Sequence, residues 1–507
     1  MTTCGCSTEK TMKPRLNDSA DKRILVDANP YITRVVLLED GKPVELYIER
    51  RDKKRLVGNI YKGRVQNVLP GMLAAFININ EEKNAFLYVG DAESSSTLFD
   101  GERIDLTASQ YNRRAVKQGQ DIMIQIVKEP IGTKGARAST AISLPGRTLV
   151  FMPGTRFVGI SKRIKGEDER ARLKKTVSDM LPDDSGVIVR TAAEGMDEES
   201  IRGELASLVD EWNRICRLYR ESNAPSLIHK EDSLIYRLVR DMFTDSVSSV
   251  MVNDPEQYEL LRGIVDDARR DRIKSVDKNE ELFSLFGVEK EIDAALSRRV
   301  RLKSGAYIVI DNTEALTSID VNTGKYVGNY SLENTIVQTN KEAAFEIARQ
   351  LRLRDIGGIV IIDFIDMSDE RDRLEVIDTL KEALRCDNTK TVVVGMTGLG
   401  LVEVTRKKIG TGISGWFQQE CPYCSGSGRI MSAQTAALNI RRSLLRKMAD
   451  DPSRAIFTVT AHPDVSRILS EHEMEERINT PEFADKRIVI RANPVMRIDD
   501  YSIKAGE

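Results

Sequence analysis

Gly358-Ile-Val-Ile-Ile-Asp-Phe-Ile-Asp-Met367 decides how the second half of this chain folds. Residues 359–362 are an unbroken β-branched run, which reads as a buried strand. Thr391-Val-Val-Val-Gly395 is a second such run. Upstream, Ala306-Tyr-Ile-Val-Ile310 and Leu316-Thr-Ser-Ile-Asp-Val-Asn322 read as a strand pair, and Ser331 to Arg354 as a long helix. Ser368 is the expected N-cap of a helix reaching Leu384, with Asp369 and Glu370 in its first turn. Strands alternating with a crossover helix predict an α/β sheet covered on both faces.

Two of these strands carry an acid where the pattern is otherwise apolar: Asp320 and Asp363. Strand periodicity puts Ser318, Asp320 and Asn322 on one face. An acid inside an apolar strand buries a charge unless something compensates it. Two carboxylates brought together repel, and a divalent cation between them removes that cost. Oxygen-only ligands suit Mg²⁺, which can polarise a phosphoryl oxygen and acidify a bound water. Taken singly, each acid reads more readily as a turn former or helix cap; that both interrupt strands of one domain favours the cation site. Asp366 has the opposite parity to Asp363 and is expected to point elsewhere. The 3 histidines, His229, His462 and His472, lie away from these motifs, which argues against histidine acid–base chemistry and a His-ligated hydrolytic zinc.

Downstream lies Cys421-Pro-Tyr-Cys-Ser-Gly-Ser-Gly428. Tetrahedral zinc wants four ligands, and Cys421 with Cys424 gives two. A two-fold axis through the metal would bring the other pair from a second chain, so a zinc-linked homo-oligomer is expected. A redox pair is the alternative, but no thioredoxin-like βαβ pattern precedes it.

At 507 residues the chain is too long for one core, and three or more domains are expected. With 41% hydrophobic and 30% charged residues it reads as globular. It has no apolar run of spanning length and no signal-peptide core, so a cytoplasmic protein is expected. A net charge of −2 requires any nucleic-acid contact to rest on local basic patches. Arg50-Arg-Asp-Lys-Lys-Arg55, ahead of Lys62 and Arg64, is one candidate, and a solvated charged loop is the other reading. The 6 cysteines form no disulfide framework. Cys216 and Cys386 are expected to be buried thiols, and Cys4 and Cys6 sit in a polar terminus.

Working outward, residues 23–50 read as a meander of strands with an Asp40-Gly41 hairpin turn. The pattern stays β-rich from about 55 to 140, with short strands that fit a small OB-type barrel. Residues 141–235 mix strands with a clear helix from Glu199 to Arg220, apolar at Ile201, Leu205, Leu208, Trp212 and Ile215. Residues 232–295 read as largely helical.

In order along the chain, Asn59-Ile-Tyr-Lys-Gly63, Ala74-Ala-Phe76, Ser318-Ile-Asp-Val-Asn322, Ile361-Ile-Asp-Phe-Ile-Asp-Met367 and Cys421-Pro-Tyr-Cys424 resemble the motifs of the bacterial ribonuclease E/G family. The resemblance runs from about 30 to 430, and residues 432–507 follow the family pattern only loosely. The length fits the compact branch of the family rather than the branch with a long C-terminal scaffold.

The resemblance implies a multidomain α/β (α+β) fold. A ribonuclease H-like domain (1–54 and 236–295) is interrupted by an S1 barrel (55–140) and a 5′-sensor domain (141–235). A DNase I-like catalytic domain (296–417), a zinc link (418–431) and a small C-terminal domain (432–507) follow. It implies an endoribonuclease of single-stranded RNA leaving 5′-phosphate and 3′-hydroxyl ends, in rRNA and tRNA processing and mRNA decay. Asp320 and Asp363 take the role of Mg²⁺ ligands, Asn322 stands beside the scissile phosphate, and Cys421 and Cys424 hold zinc between protomers of a dimer or tetramer. Phe76, Phe86 and Lys134 match residues that hold RNA; aromatics stack on unpaired bases and lysine meets phosphate, although on sequence alone each phenylalanine reads more readily as core packing. Gly146, Val150, Arg190 and Thr191 match a 5′-monophosphate pocket, whose hydrogen bonds would be charge-assisted. Where the family pattern has two arginines after Gly-Ile-Ser, this chain reads Gly159-Ile-Ser-Lys-Arg163. Lys162 keeps the charge but loses the bidentate fork, which bears on the sensor's selectivity. A non-catalytic RNA-binding factor and a scaffold of a decay complex are the competing readings.

Overall fold

A computed structural model describes residues 21–50, 52, 55–88, 94–99, 102–107, 116–130, 134–277, 281–324, 332–479 and 486–506. The chain divides into two compact units, one ending at Trp416 and one beginning at Phe417.

The first unit opens with the strands Lys22–Ala28, Ile32–Glu39 and Lys42–Arg50, joined as an antiparallel meander. Their sheet is finished by strands far along the chain. Val247–Val252 pairs in parallel with Lys22–Ala28, and Ile273–Ser275 pairs in parallel with Val247–Val252. Both faces are filled: Ile24, Val26 and Val35 join one core, Leu25, Val36 and Leu38 another. The stretch 232–295 is largely helical, as expected, but it also supplies the strands Val247–Val252 and Ile273–Ser275, which its pattern did not announce. The two serines in Val247-Ser-Ser-Val-Met-Val252 dilute its apolar signal among charged helices.

Between these parts lies a closed barrel of five strands: Ile60–Leu69, Ala74–Asn78, Ala85–Tyr88, Arg137–Ser139 and Asp121–Lys128, which returns to pair with Ile60–Leu69. A four-stranded sheet follows, ordered Leu144–Pro145, Leu149–Pro153, Ser185–Val189, Val158–Ile160. The helix Glu198–Glu221 buries Ile201, Leu205 and Ile215 in its core, and Asp197 caps that helix by accepting from the Ser200 N–H at 2.7 Å. Lys62 is no free cation of a basic patch. Its ammonium donates to the carbonyls of Tyr219 and Ser222 at the end of that helix, at 2.9 and 2.7 Å. Of the proposed patch, residues 51, 53 and 54 lie outside the described residues.

The second half holds a six-stranded sheet ordered Arg299–Arg301, Tyr307–Asn312, Leu316–Asn322, Gly358–Asp363, Leu401–Arg406, Thr391–Met396. Helices Leu332–Leu353 and Glu370–Ala383 cover one face, over Ile319, Val321, Val360, Ile362, Val402 and Val404. The other face is open among the described residues: Ile359 is 51% exposed, Val392 44% and Val394 62%. The expected covering of both faces is thus corrected. A β-branched run satisfies strand geometry whether or not its second face is packed. The cap of Glu370–Ala383 is Asp369 rather than Ser368; its carboxylate accepts from the Arg371 N–H at 2.8 Å. Cys216 and Cys386 are half-buried rather than buried.

The helix Leu332–Leu353 also ties this sheet to the first one. The Arg352 guanidinium, 6% exposed, donates to Glu39 at 3.0 and 3.1 Å and to Glu45 at 2.7 and 3.1 Å.

The second unit packs helix Ala433–Asp450 on a three-stranded sheet, Arg487–Ala492, Ile456–Ala461 and Tyr501–Gly506, around Ile440, Leu444, Phe457 and Val459. Among the described residues no helix is long and apolar enough to cross a membrane.

Candidate active site

Leu316–Asn322 and Gly358–Asp363 run parallel, and their register sets Asp320 directly beside Asp363. Both side chains are exposed on the open face, so neither acid is buried within the core. Asn322, two residues on and on the same face, donates its Nδ2–H to Asp320 Oδ2 at 2.7 Å. Partial burial raises the Asp363 carboxyl above its ordinary pKa, and the neighbouring charges of Asp320 and Asp366 add to the rise. Asp366 is near enough to add to that rise, but among the described residues it forms no three-acid group with Asp320 and Asp363. The strand ends at Asp363, so alternation no longer fixes where Asp366 points.

The loop carrying Asp366 is held by a residue that sequence reading passed over. Asn340 is fully buried in helix Leu332–Leu353; its Nδ2–H donates to the Ile365 carbonyl at 2.8 Å and its Oδ1 accepts from the Ile365 N–H at 3.1 Å. One amide side chain therefore mimics a strand partner for the segment after Asp363. A polar residue on the buried stripe of Val337, Ala344 and Ile347 was the available signal.

Among the described residues, no group of three or more His, Cys, Asp or Glu side chains is placed to hold an ion. The acid pair still fits a hard cation that keeps several waters. It offers oxygen donors only, it is open to solvent, and mutual repulsion already penalises its ionised form.

In the second unit, Cys421 is exposed and Cys424 half-buried on a turn with positive φ at Ser425 (49°), Gly426 (81°) and Gly428 (67°). The Cys421 thiol is lowered below its ordinary pKa, chiefly by the backbone N–H of Cys424, then by that of Tyr423 and the Cys424 side chain. Tyr423 anchors the turn: its carbonyl accepts from Arg497 at 2.5 Å and its hydroxyl from the Ile498 N–H at 2.9 Å. Two cysteine sulfurs on one turn, with the Cys421 thiol favoured to ionise, suit zinc but supply half a tetrahedron.

On the barrel, Phe76 and Phe86 are cross-strand partners whose rings meet edge to face, 5.9 Å apart. Both are half-buried rather than part of the barrel core, and Lys134 is exposed. The structure therefore leaves aromatic surface available on this wall.

The sensor candidates converge on the four-stranded sheet. Arg190 donates to the Gly146 carbonyl at 2.8 Å, and the Thr191 hydroxyl lies 3.0 Å from that of Ser161, next to Lys162. Val150 pairs with Pro145 on one side and Ile188 on the other. Glu204 organises the turn: it accepts from the N–H and hydroxyl of Thr148. A Cβ at Gly146 would sit 2.1 Å from Glu204 Oε1, so that position admits only glycine without rearrangement. Sequence reading missed a partner that the fold supplies: Arg190 forms an ion pair at 2.7 Å with Asp241, which Arg240 also engages at 3.1 Å.

The sequence profile described as Ribonuclease E/G family matches residues 143–409. This chain belongs to that family. It is 40% identical over 484 residues to Ribonuclease G of Escherichia coli (strain K12), covering 95% of this chain and 99% of that protein. Ribonuclease G of Haemophilus influenzae is 40% identical over 486 residues, covering 95% and 98%. Ribonuclease E of Nostoc sp. (strain PCC 7120) is 38% identical over 421 residues, covering 80% of this chain and 59% of its own length.

Proposed function

We propose that the chain is a cytoplasmic, metal-dependent endoribonuclease that cuts single-stranded RNA to 5′-phosphate and 3′-hydroxyl ends. Family membership carries the endoribonuclease activity; the observation that carries its chemistry is the in-register pair Asp320–Asp363 on an open sheet face. Its biological work is rRNA and tRNA processing and mRNA decay.

Asp320 and Asp363 would hold Mg²⁺. Once bound, the ion supplies a Lewis acid for the phosphoryl group and a water acidic enough to serve as nucleophile. Asn322 fixes the Asp320 carboxylate through its 2.7 Å hydrogen bond and offers its remaining N–H to a phosphate oxygen. Asn340 keeps the segment after Asp363 from drifting. Phe76 and Phe86 stack on unpaired bases beside the cut, with Lys134 on the backbone. Gly146, Val150, Lys162, Arg190 and Thr191 receive a 5′-monophosphate. Cys421 and Cys424 share one zinc with the same pair of a second copy, giving a dimer or a tetramer. In this reading the first sheet is the ribonuclease H-like domain, the barrel an S1 domain, and the open sheet a DNase I-like catalytic domain, with the boundaries given above.

The test is cleavage of an internally labelled AU-rich RNA bearing a 5′-monophosphate or a 5′-hydroxyl, with and without Mg²⁺. Wild type should cut only with the metal and faster on the monophosphate. Asp320→Asn and Asp363→Asn should each lose at least about a hundredfold in rate while still binding RNA. Binding without cutting by wild type would mean a non-catalytic RNA-binding factor.

A further inference from the structure

The open face of the six-stranded sheet carries more than the acids. Register follows it strand by strand: Arg299 pairs with Val309, Val309 with Asp320, and Asp320 with Asp363. One row over, Arg301 pairs with Tyr307, and Tyr307 with Asn322. Residues directly opposite one another point to the same side of a sheet. Arg299, Arg301 and Tyr307 therefore share the face of Asp320, Asn322 and Asp363. Val300 between them turns into the core instead. Two strand spacings separate each arginine's backbone from Asp320 or Asn322, about 10 Å.

Both arginines are exposed, and no carboxylate pairs with either among the described residues. The acid on their side of the face, Asp311, is taken by Arg298. Arg299 is not loose, however. Its guanidinium carbon lies 3.4 Å from the centre of the Tyr307 ring, so the aromatic face holds it toward the row that ends in Asn322. A face that is anionic at its centre repels RNA except where a cation bridges. Two unpaired guanidinia at one end of the same face give the strand a fixed place to enter.

We propose that Arg299 and Arg301, with Tyr307 holding Arg299, form a phosphate-positioning subsite that guides single-stranded RNA onto the acid pair. They would grip a phosphate further along the strand than the one being cut. This rests on the endoribonuclease reading above. The competing explanation is that they are solvated charges protecting the edge strand Arg299–Arg301 from pairing with another chain.

Steady-state cleavage of a short 5′-monophosphorylated RNA with Mg²⁺, over a series of KCl concentrations, separates the two. For Arg299→Ala with Arg301→Ala, KM should rise about tenfold or more, with kcat little changed. The slope of log KM against log salt should fall by about 0.7 for each arginine removed. Tyr307→Phe keeps the aromatic face and should match wild type; Tyr307→Leu should behave like Arg299→Ala. A double variant that matches wild type in KM and salt slope, and folds alike by thermal melting, overturns the subsite alone. An RNA that wild type leaves intact overturns the nuclease reading, and the subsite with it.

Discussion

The Asp241 carboxylate sits 2.7 Å from the Arg190 guanidinium, on the same cation that the proposed sensor would use. In the proposed sensor, a 5′-phosphate arriving at Arg190 must displace that acid or share the cation with it. The pair is about one-third exposed, so its worth is on the order of 0.2–1 kcal/mol. Asp241→Asn is therefore expected to raise the preference for monophosphorylated over hydroxylated RNA by about 1.5- to 5-fold. The ratio of kcat/KM on the two RNAs measures it; an unchanged ratio means Asp241 does not compete.

The acid pair sets a pH dependence. Burial, then Asp320 and Asp366, raise the Asp363 carboxyl above its ordinary value. A raised carboxyl stays protonated to higher pH, so the cation-binding form is present above that raised pKa and lost as pH falls through it. Mn²⁺ binding, followed by electron paramagnetic resonance across a pH series, should weaken at a pH above the usual aspartate range, about 4. Asp366→Asn should move that limb to lower pH. A limb that does not move would show Asp366 to be electrostatically remote.

Arg352 makes a different demand. Removing it leaves Glu45, 7% exposed, without its cation and Glu39, 5% exposed, with only Lys22 at 4.0 Å. Arg352→Met should cost about 3–5 kcal/mol, seen as a lower denaturant midpoint. Adding Glu39→Gln and Glu45→Gln should restore most of it, because the uncompensated charge is then gone. Equal stability of the single and triple variants would locate the effect in packing instead.

For the cysteines the readout is mass. Cys421→Ser with Cys424→Ser should abolish bound zinc and shift the particle from tetramer toward dimer or from dimer toward monomer, by sedimentation. A particle of unchanged mass would remove zinc from the assembly.

Much of the fold could be read from local pattern. The strands around Asp320 and Asp363 announced themselves by β-branching, and Glu198–Glu221 by its 3.6-residue apolar stripe. The closed barrel followed from short strands between turn residues. What stayed hidden was set by distant pairing. Nothing local in Val247–Val252 says that its neighbour is Lys22–Ala28. The open face of the six-stranded sheet was equally silent, since Ile359 and Val392 look apolar enough to be covered. Of the candidate site, strand parity placed Ser318, Asp320 and Asn322 on one side, but the register joining them to Asp363, Arg299 and Arg301 exists only across strands. Asn340 and Asp241 reach their partners through tertiary contacts, and sequence offers at most an odd polar residue on a buried stripe.

The late completion of the first sheet also orders the protein's own birth. On a ribosome, the edge of Lys22–Ala28 that Val247–Val252 will cover stays open until that distant strand emerges. At about 5–20 residues per second, that interval runs to roughly 10–40 s. The barrel and the four-stranded sheet are fully synthesised within it and can close first, so the chain matures from its middle outward. An apolar strand edge left waiting that long is a template for wrong pairing, and nascent chains halted before residue 247 should be the ones that chaperones hold.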